Sequence, residues 1–167
     1  MSASQHSEVG PCTFQNQDDR TDLALSAAGR LCDLISEGGA SATLHFDTQP
    51  RRWSKLLINA PCNPICALTR LDDARFLNSS SFAVTYVQRV MHQVVDIAQE
   101  SGYMVVTHAT AEERLKQITD RSSSMGYEPS MSADVQRRRP LDIEAILGNA
   151  IRIAQTLGVT TTNSEAL

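Results

Sequence analysis

An all-α helical bundle is the fold class this sequence predicts, and three observations predict it. Apolar residues recur at steps of three and four through most of the 167 residues, the marked segments end at glycine, proline or serine-rich breaks, and no series of strands alternates with them. Residues 1–18 are polar with a Gly10-Pro11 break and no apolar period, so they read as a disordered leader without function. Residues 19–48 follow as a helix and one short strand, a possible remnant of a preceding domain, and residues 50–167 as the helical domain proper.

Taken in order, Leu23, Ala27, Leu31, Leu34 and Ile35 mark an amphipathic helix from Asp19 to about Glu37, stopped by Gly38-Gly39. Ala42 to Phe46 is a short strand with no partner evident in the chain. Arg52 to Ala60 is helical in pattern, and Pro61 and Pro64 then predict a kink or two abutting helices, because proline lacks the amide donor and clashes with the preceding turn. Ser80 to Glu100 is the clearest core helix, carrying Phe82, Val84, Val87, Val90, Met91, Val94, Val95 and Ala98. Thr110 and Glu113 form a capping box for a helix reaching Asp120. Ser122 to Pro129 reads as loop, Ser130 to Arg138 as a short helix, and Pro140 as the first turn of a last helix ending at Gly158. The tail Thr160–Ser164 is polar.

Composition bounds the function. A chain that is 41% hydrophobic and 20% charged folds, and a net charge of −4 offers no electrostatic footprint for nucleic acid or an anionic membrane. No apolar run approaches the ~18 residues of a membrane span, and the first residues lack signal-peptide character, so a cytoplasmic protein is expected. Cys12, Cys32, Cys62 and Cys66 form no CxxC pair and read as reduced, buried small residues. His6, His45, His92 and His108 show no mutual metal spacing, Arg137-Arg138-Arg139 reads as a solvated helix end, and Ser122-Ser123-Ser124 has no strand leading into it.

The chemistry concentrates in Trp53 to Ala67, where Lys55, Asn59 and Asn63 recur every four residues and so stack along one helix face among apolar neighbours. An ammonium and two amides in a dry groove can hold a carbonyl or carboxylate. With only two lysines against thirteen arginines, a lysine between Trp53 and Leu56 stands out, and lysine, unlike arginine, can release a proton. The residues alone leave a second reading open, in which Lys55 snorkels to solvent and the asparagines serve turns beside the prolines.

Together with Pro129 to Gly148, this stretch resembles the ketopantoate reductase family. That family's C-terminal domain opens on Trp-x-Lys-Leu, continues to Asn and Asn-Pro-Leu-Thr-Ala, and later carries Ser-Met-x-x-Asp, Arg-x-Thr-Glu-Ile-Asp and Asn-Gly. Trp53, Lys55, Leu56, Asn59, Asn63, Pro64 and Ala67 match in order and spacing, as do Ser130, Met131, Asp134, Ile143, Ile146 and Gly148. The resemblance covers residues 50 to 160 and implies an all-helical domain like the C-terminal domain of 6-phosphogluconate dehydrogenase. It further implies that Lys55 is the general acid protonating a ketone oxygen, that Asn59, Asn63 and Ser130 bind substrate oxygens, and that Asp142 orients substrate and lysine.

Three departures accompany the match. Asp142 stands one methylene short of the family's glutamate, Leu71-Asp72-Asp73-Ala74 occupies the place of an Asn-Gly contact, and Leu147 replaces the Asn before Gly148. No Gly-x-Gly-x-x-Gly occurs, so NADPH is implied by resemblance only and needs a separate dinucleotide-binding domain. The expected partners are thus a small 2-oxo acid, that domain, and a second copy in a homodimer, with neither nucleic acid nor membrane. The competing expectation is a non-catalytic small-acid-binding or dimerisation module, and a third is an acid–base enzyme using Lys55 and Asp142 without a nicotinamide.

Overall fold

A computed structural model describes residues 6–11, 18–121 and 126–165 of the chain, which divides into two compact units, one ending at Arg52 and one beginning at Trp53. In the first unit β1 (His6–Val9) leads to α1 (Asp18–Glu37) and then to β2 (Ser41–Leu44), and the two strands pair in parallel with His6 opposite Ser41 and Val9 opposite Leu44. This is a βαβ crossover.

Two expectations change here. The polar leader contains a strand, and the strand thought to lack a partner has one 35 residues upstream at His6. A four-residue polar strand carries no apolar alternation to announce it, and a parallel pairing joins segments that no local turn signals. His6 Nδ1 lies 2.9 Å from Ser41 Oγ and its Nε2 3.3 Å from Thr43 Oγ1, which puts these residues on one polar face. Leu44 points to the other face, toward Gly29 of α1. Ala28 and Cys32 of α1 are buried, while Leu23, Leu31 and Leu34 form a second apolar row that is exposed.

Helix α2 (Gln49–Thr69) runs through both Pro61 and Pro64 as one helix, so of the two expectations the pair of abutting helices does not form. Each proline removes a hydrogen bond at a cost of about 3 kcal/mol. Burial of Leu57, Ala60, Pro61, Cys62, Pro64, Cys66 and Ala67 offsets that cost. A short α3 (Asp73–Leu77), which the sequence pattern did not announce, is capped by Asp72, whose Oδ1 accepts the Arg75 amide at 2.8 Å.

The expected core helix is α4 (Ser81–Glu100), with Ser80 as its cap. Val87, Val90, Met91, Val94, Val95, Ile97 and Ala98 are all buried, so burial overrides the modest helix propensity of valine. Packed along it, α5 (His108–Thr119) starts two residues before Thr110, because Thr107 Oγ1 accepts the Thr110 amide at 3.1 Å and takes the capping role. Leu115 and Ile118 turn inward.

Next come α6 (Ser130–Gln136), a π-helical turn (Glu144–Gly148), and α7 (Asn149–Leu157). Pro140 lies before the helical residues instead of in their first turn. In the π turn the Asn149 amide reaches back to the Glu144 carbonyl, one residue further than in an α-helix. The tail read as merely polar forms α8 (Thr162–Glu165), held by Gln93 Oε1, which accepts from the Ser164 amide at 3.1 Å and its hydroxyl at 2.9 Å.

Leu57 is fully buried against this core. Leu57→Ala is expected to lower unfolding free energy by about 2–5 kcal/mol in urea titrations. A pH effect follows from the α4–α5 edge, where Glu112 Oε1 accepts from Gln88 Nε2 at 2.8 Å and from His92 Nε2 at 2.7 Å. The Gln88 bond first, then the His92 bond, hold the Glu112 carboxyl below its ordinary value. A depressed carboxyl stabilises the fold above its unfolded pKa of about 4.3, and that contribution disappears as pH falls through the folded value. Glu112→Gln should therefore flatten the acid limb of the stability profile below about pH 5, measured by thermal melts.

Candidate functional site

The spacing of four keeps Lys55, Asn59 and Asn63 on one side of α2, and Lys55 to Asn63 spans about 12 Å along the axis at 1.5 Å per residue. Their burial is graded. Lys55 is exposed, Asn59 half-buried, and Asn63 only 4% exposed. The two prolines help to set this gradient, since Pro61 and Pro64 are themselves buried and carry Asn63 between them into the interior.

Asn63 Nδ2 has no hydrogen-bond partner. A buried amide donor left unsatisfied costs about 1–3 kcal/mol, so such a group is informative. Among the described residues one other buried side chain shares that state: Ser132 Oγ, in the first turn of α6, two residues beyond Ser130. Sequence reading passed over Ser132. The available signal was a second hydroxyl placed directly after the apolar Met131, which is also buried.

Ser130 opens α6 and is exposed. Asp142 is exposed as well, immediately ahead of the last helical stretch, and its carbonyl accepts the Ile146 amide at 3.0 Å. Among the described residues neither Lys55 nor Asp142 takes part in an ion pair, so the carboxylate–ammonium contact that the resemblance implies is not formed in the chain as it stands. The nearby acid that does pair is Glu144, with Arg152 at 2.8 Å.

A polar centre that the sequence did not reveal lies at α3. Asp73 is 3% exposed, its Oδ2 pairs with Arg121 Nη2, and its Oδ1 accepts the Tyr127 amide at 2.7 Å. The Asp73 amide in turn donates to the Tyr127 carbonyl at 3.2 Å. Gly126 lies so close to Asp72 that a Cβ there would come within 2.0 Å of the carboxylate, which would have to shift to admit one. The departure Leu71-Asp72-Asp73-Ala74 is therefore a structural junction.

Cys62 and Cys66, one turn apart on α2, border this junction. Burial first, then the neighbouring thiol and the Asp73 carboxylate, with Arg121 opposing, push Cys62 up to about 12. Burial followed by Asp73 and Asp72 does the same for Cys66, again to about 12. Cys32 is free and buried, and Cys12 lies outside the described residues. Among the described residues no group of three histidine, cysteine or acidic side chains is placed to hold a metal.

Comparison with known proteins gives a consistent result. The family model described as ketopantoate reductase PanE/ApbA C terminal matches residues 47–167. An uncharacterised protein of Saccharomyces cerevisiae is 32% identical over 86% of this chain and 40% of its own length. A 2-dehydropantoate 2-reductase of Pyrobaculum aerophilum is 30% identical over 85% of this chain and 49% of its own. Among solved structures, a dimeric ketopantoate reductase from Staphylococcus aureus superposes with a TM-score of 0.73 at 24% identity, over 84% of this chain and 48% of that one, a likeness of fold. The chain spans about half the length of the relatives it matches.

The raised thiols yield a direct expectation. At pH 8 a thiol titrating near 12 is only about 10⁻⁴ thiolate, so Cys62 and Cys66 should resist a disulfide reagent in the folded chain and react after unfolding. Mass mapping of the labelled cysteines checks it; rapid labelling of either in the native state would contradict it.

Proposed function

The chain belongs to the ketopantoate reductase family through its C-terminal domain, and from that premise we propose that it is the substrate-binding half of a reductase for small 2-oxo acids of the 2-dehydropantoate type. The observation that carries the reading is Asn63, an interior amide with an unused donor at the deep end of a line that begins with Lys55. A ligand oxygen at that donor would remove the cost of its isolation.

In this reading Asn63 and Asn59 donate to substrate oxygens and Ser130 adds a hydroxyl. Lys55 holds its ammonium beside the ketone oxygen, stabilises the negative charge that develops there, and transfers a proton to it. Asp142 orients the substrate and Lys55. Being short by a methylene and unpaired in the unliganded chain, it would have to come within reach when the acid binds.

The reduction also needs a hydride, which NADPH supplies in the family this chain resembles. The described residues do not fit a dinucleotide. The glycine nearest a strand-to-helix turn, Gly10, has its bare face filled by the His45 carbonyl, 2.3 Å from where a Cβ would sit, so no pyrophosphate can approach there. We therefore assign the cofactor to a dinucleotide-binding domain outside residues 1–167. The first unit supports that assignment, because a two-stranded parallel sheet is marginal by itself and α1 leaves Leu23, Leu31 and Leu34 uncovered. A homodimer and a cytoplasmic setting complete the proposal; free Cys32, Cys62 and Cys66 suit a reducing compartment. No helix of the described residues is long and apolar enough to cross a membrane. A second reading, a binding module without catalysis, is favoured by one observation, the missing Lys55–Asp142 contact.

Titration calorimetry with pantoate separates these readings from failure of both. Saturable binding that weakens about 10- to 100-fold in Lys55→Ala, the loss of one charge-assisted hydrogen bond, is expected. Absence of binding would remove the substrate assignment. The chain alone should not oxidise NADPH in the presence of 2-dehydropantoate, and turnover would place a dinucleotide site within it.

A further inference from the structure

We propose that Asp73 is a positioning residue for the substrate site, holding in place the segment that delivers Ser130. This rests on the assignment of Ser130 to substrate oxygens.

The first support is what α6 lacks. Ser130 begins a helix of seven residues whose N-cap is Pro129, with no side-chain cap hydrogen bond. Nothing in the helix itself determines how the chain approaches Ser130, and a short helix contributes little stability of its own. Three residues upstream, Tyr127 is fastened by two bonds of opposite sense: its amide donates to Asp73 Oδ1 at 2.7 Å, and its carbonyl accepts from the Asp73 amide at 3.2 Å. Between the two stand Glu128 and Pro129, the latter buried with its φ at −62°. A proline of restricted φ transmits the position of Tyr127 to Ser130 with little freedom.

The second support is what Asp73 touches elsewhere. Its other oxygen pairs with Arg121 just beyond α5, so the two helices flanking the loop are tied to one carboxylate. Its charge is felt by both Cys62 and Cys66, the thiols that bracket Asn63 on α2. Asp72 closes the other side of the same segment by its contact with Gly126. One buried acid therefore ties α3 to the residue that follows α5 and to the segment that leads into α6. Its pairing with Arg121 satisfies a charge that would otherwise be costly to bury.

The test uses the full chain and two readouts. Asp73→Asn keeps the shape and can still accept the Tyr127 amide, but loses the charge that holds Arg121. Amide hydrogen exchange of Tyr127 to Ser132 should rise about tenfold, with α4 amides unchanged. Pantoate affinity should fall about tenfold in Asp73→Asn, yet fall no further when the change is made in a Ser130→Ala background, since coupled groups are not additive. Arg121→Gln, which removes the ion pair that orients the Asp73 carboxylate toward Tyr127, should reproduce this pattern and serves if Asp73→Asn does not fold. Unchanged exchange would overturn the proposal, as would an affinity loss of equal size with and without Ser130, which marks general destabilisation. If the unaltered chain binds no pantoate, the substrate assignment fails, while the exchange measurement still decides whether Asp73 holds Ser130.

Discussion

Burial of the broad apolar face of α4 is the constraint on which the second unit depends. A helix presenting Val87, Val90, Met91, Val94, Val95, Ile97 and Ala98 cannot stand at a surface, so α3, α5, α7 and α8 are arranged to cover it. Leu57 and Trp53 of α2 and Leu147 of the π turn join the same cluster. The candidate site is a by-product of that packing. Residues 53–67 must press one face of α2 into the cluster, and the line from Lys55 to Asn63 runs from solvent toward the interior as the helix goes deeper.

Within this apolar frame two polar groups are buried in opposite ways. Asp73 is answered on both oxygens, by Arg121 and by the Tyr127 amide. Asn63 is not answered at its nitrogen. The fold therefore satisfies the buried Asp73 carboxylate completely and leaves the buried Asn63 amide with an unused donor.

The two units also differ in how complete they are. The second has a closed core. The first has a βαβ crossover with two strands, a polar sheet face and an apolar helix row open to solvent.

Much of this was legible in the sequence because helix periodicity and capping are local. The spacing of Leu23 to Ile35, the valine ladder of α4 and the Lys55–Asn59–Asn63 line all follow from residues three or four apart, and the family resemblance follows from the same two stretches. The sequence also placed Ser130 at the start of a helix, where it stands. What it could not show are relations between distant segments: the pairing of His6–Val9 with Ser41–Leu44, the continuation of α2 through two prolines, the grip of Asp73 on Arg121 and Tyr127, and the separation of Lys55 from Asp142. Each of these is decided by burial and by which polar groups remain to satisfy one another once the chain has collapsed. No local pattern carries that information, since the same Asp-Asp pair that stands in the sequence only as a departure from the family pattern becomes a junction once Arg121 and Tyr127 are folded against it.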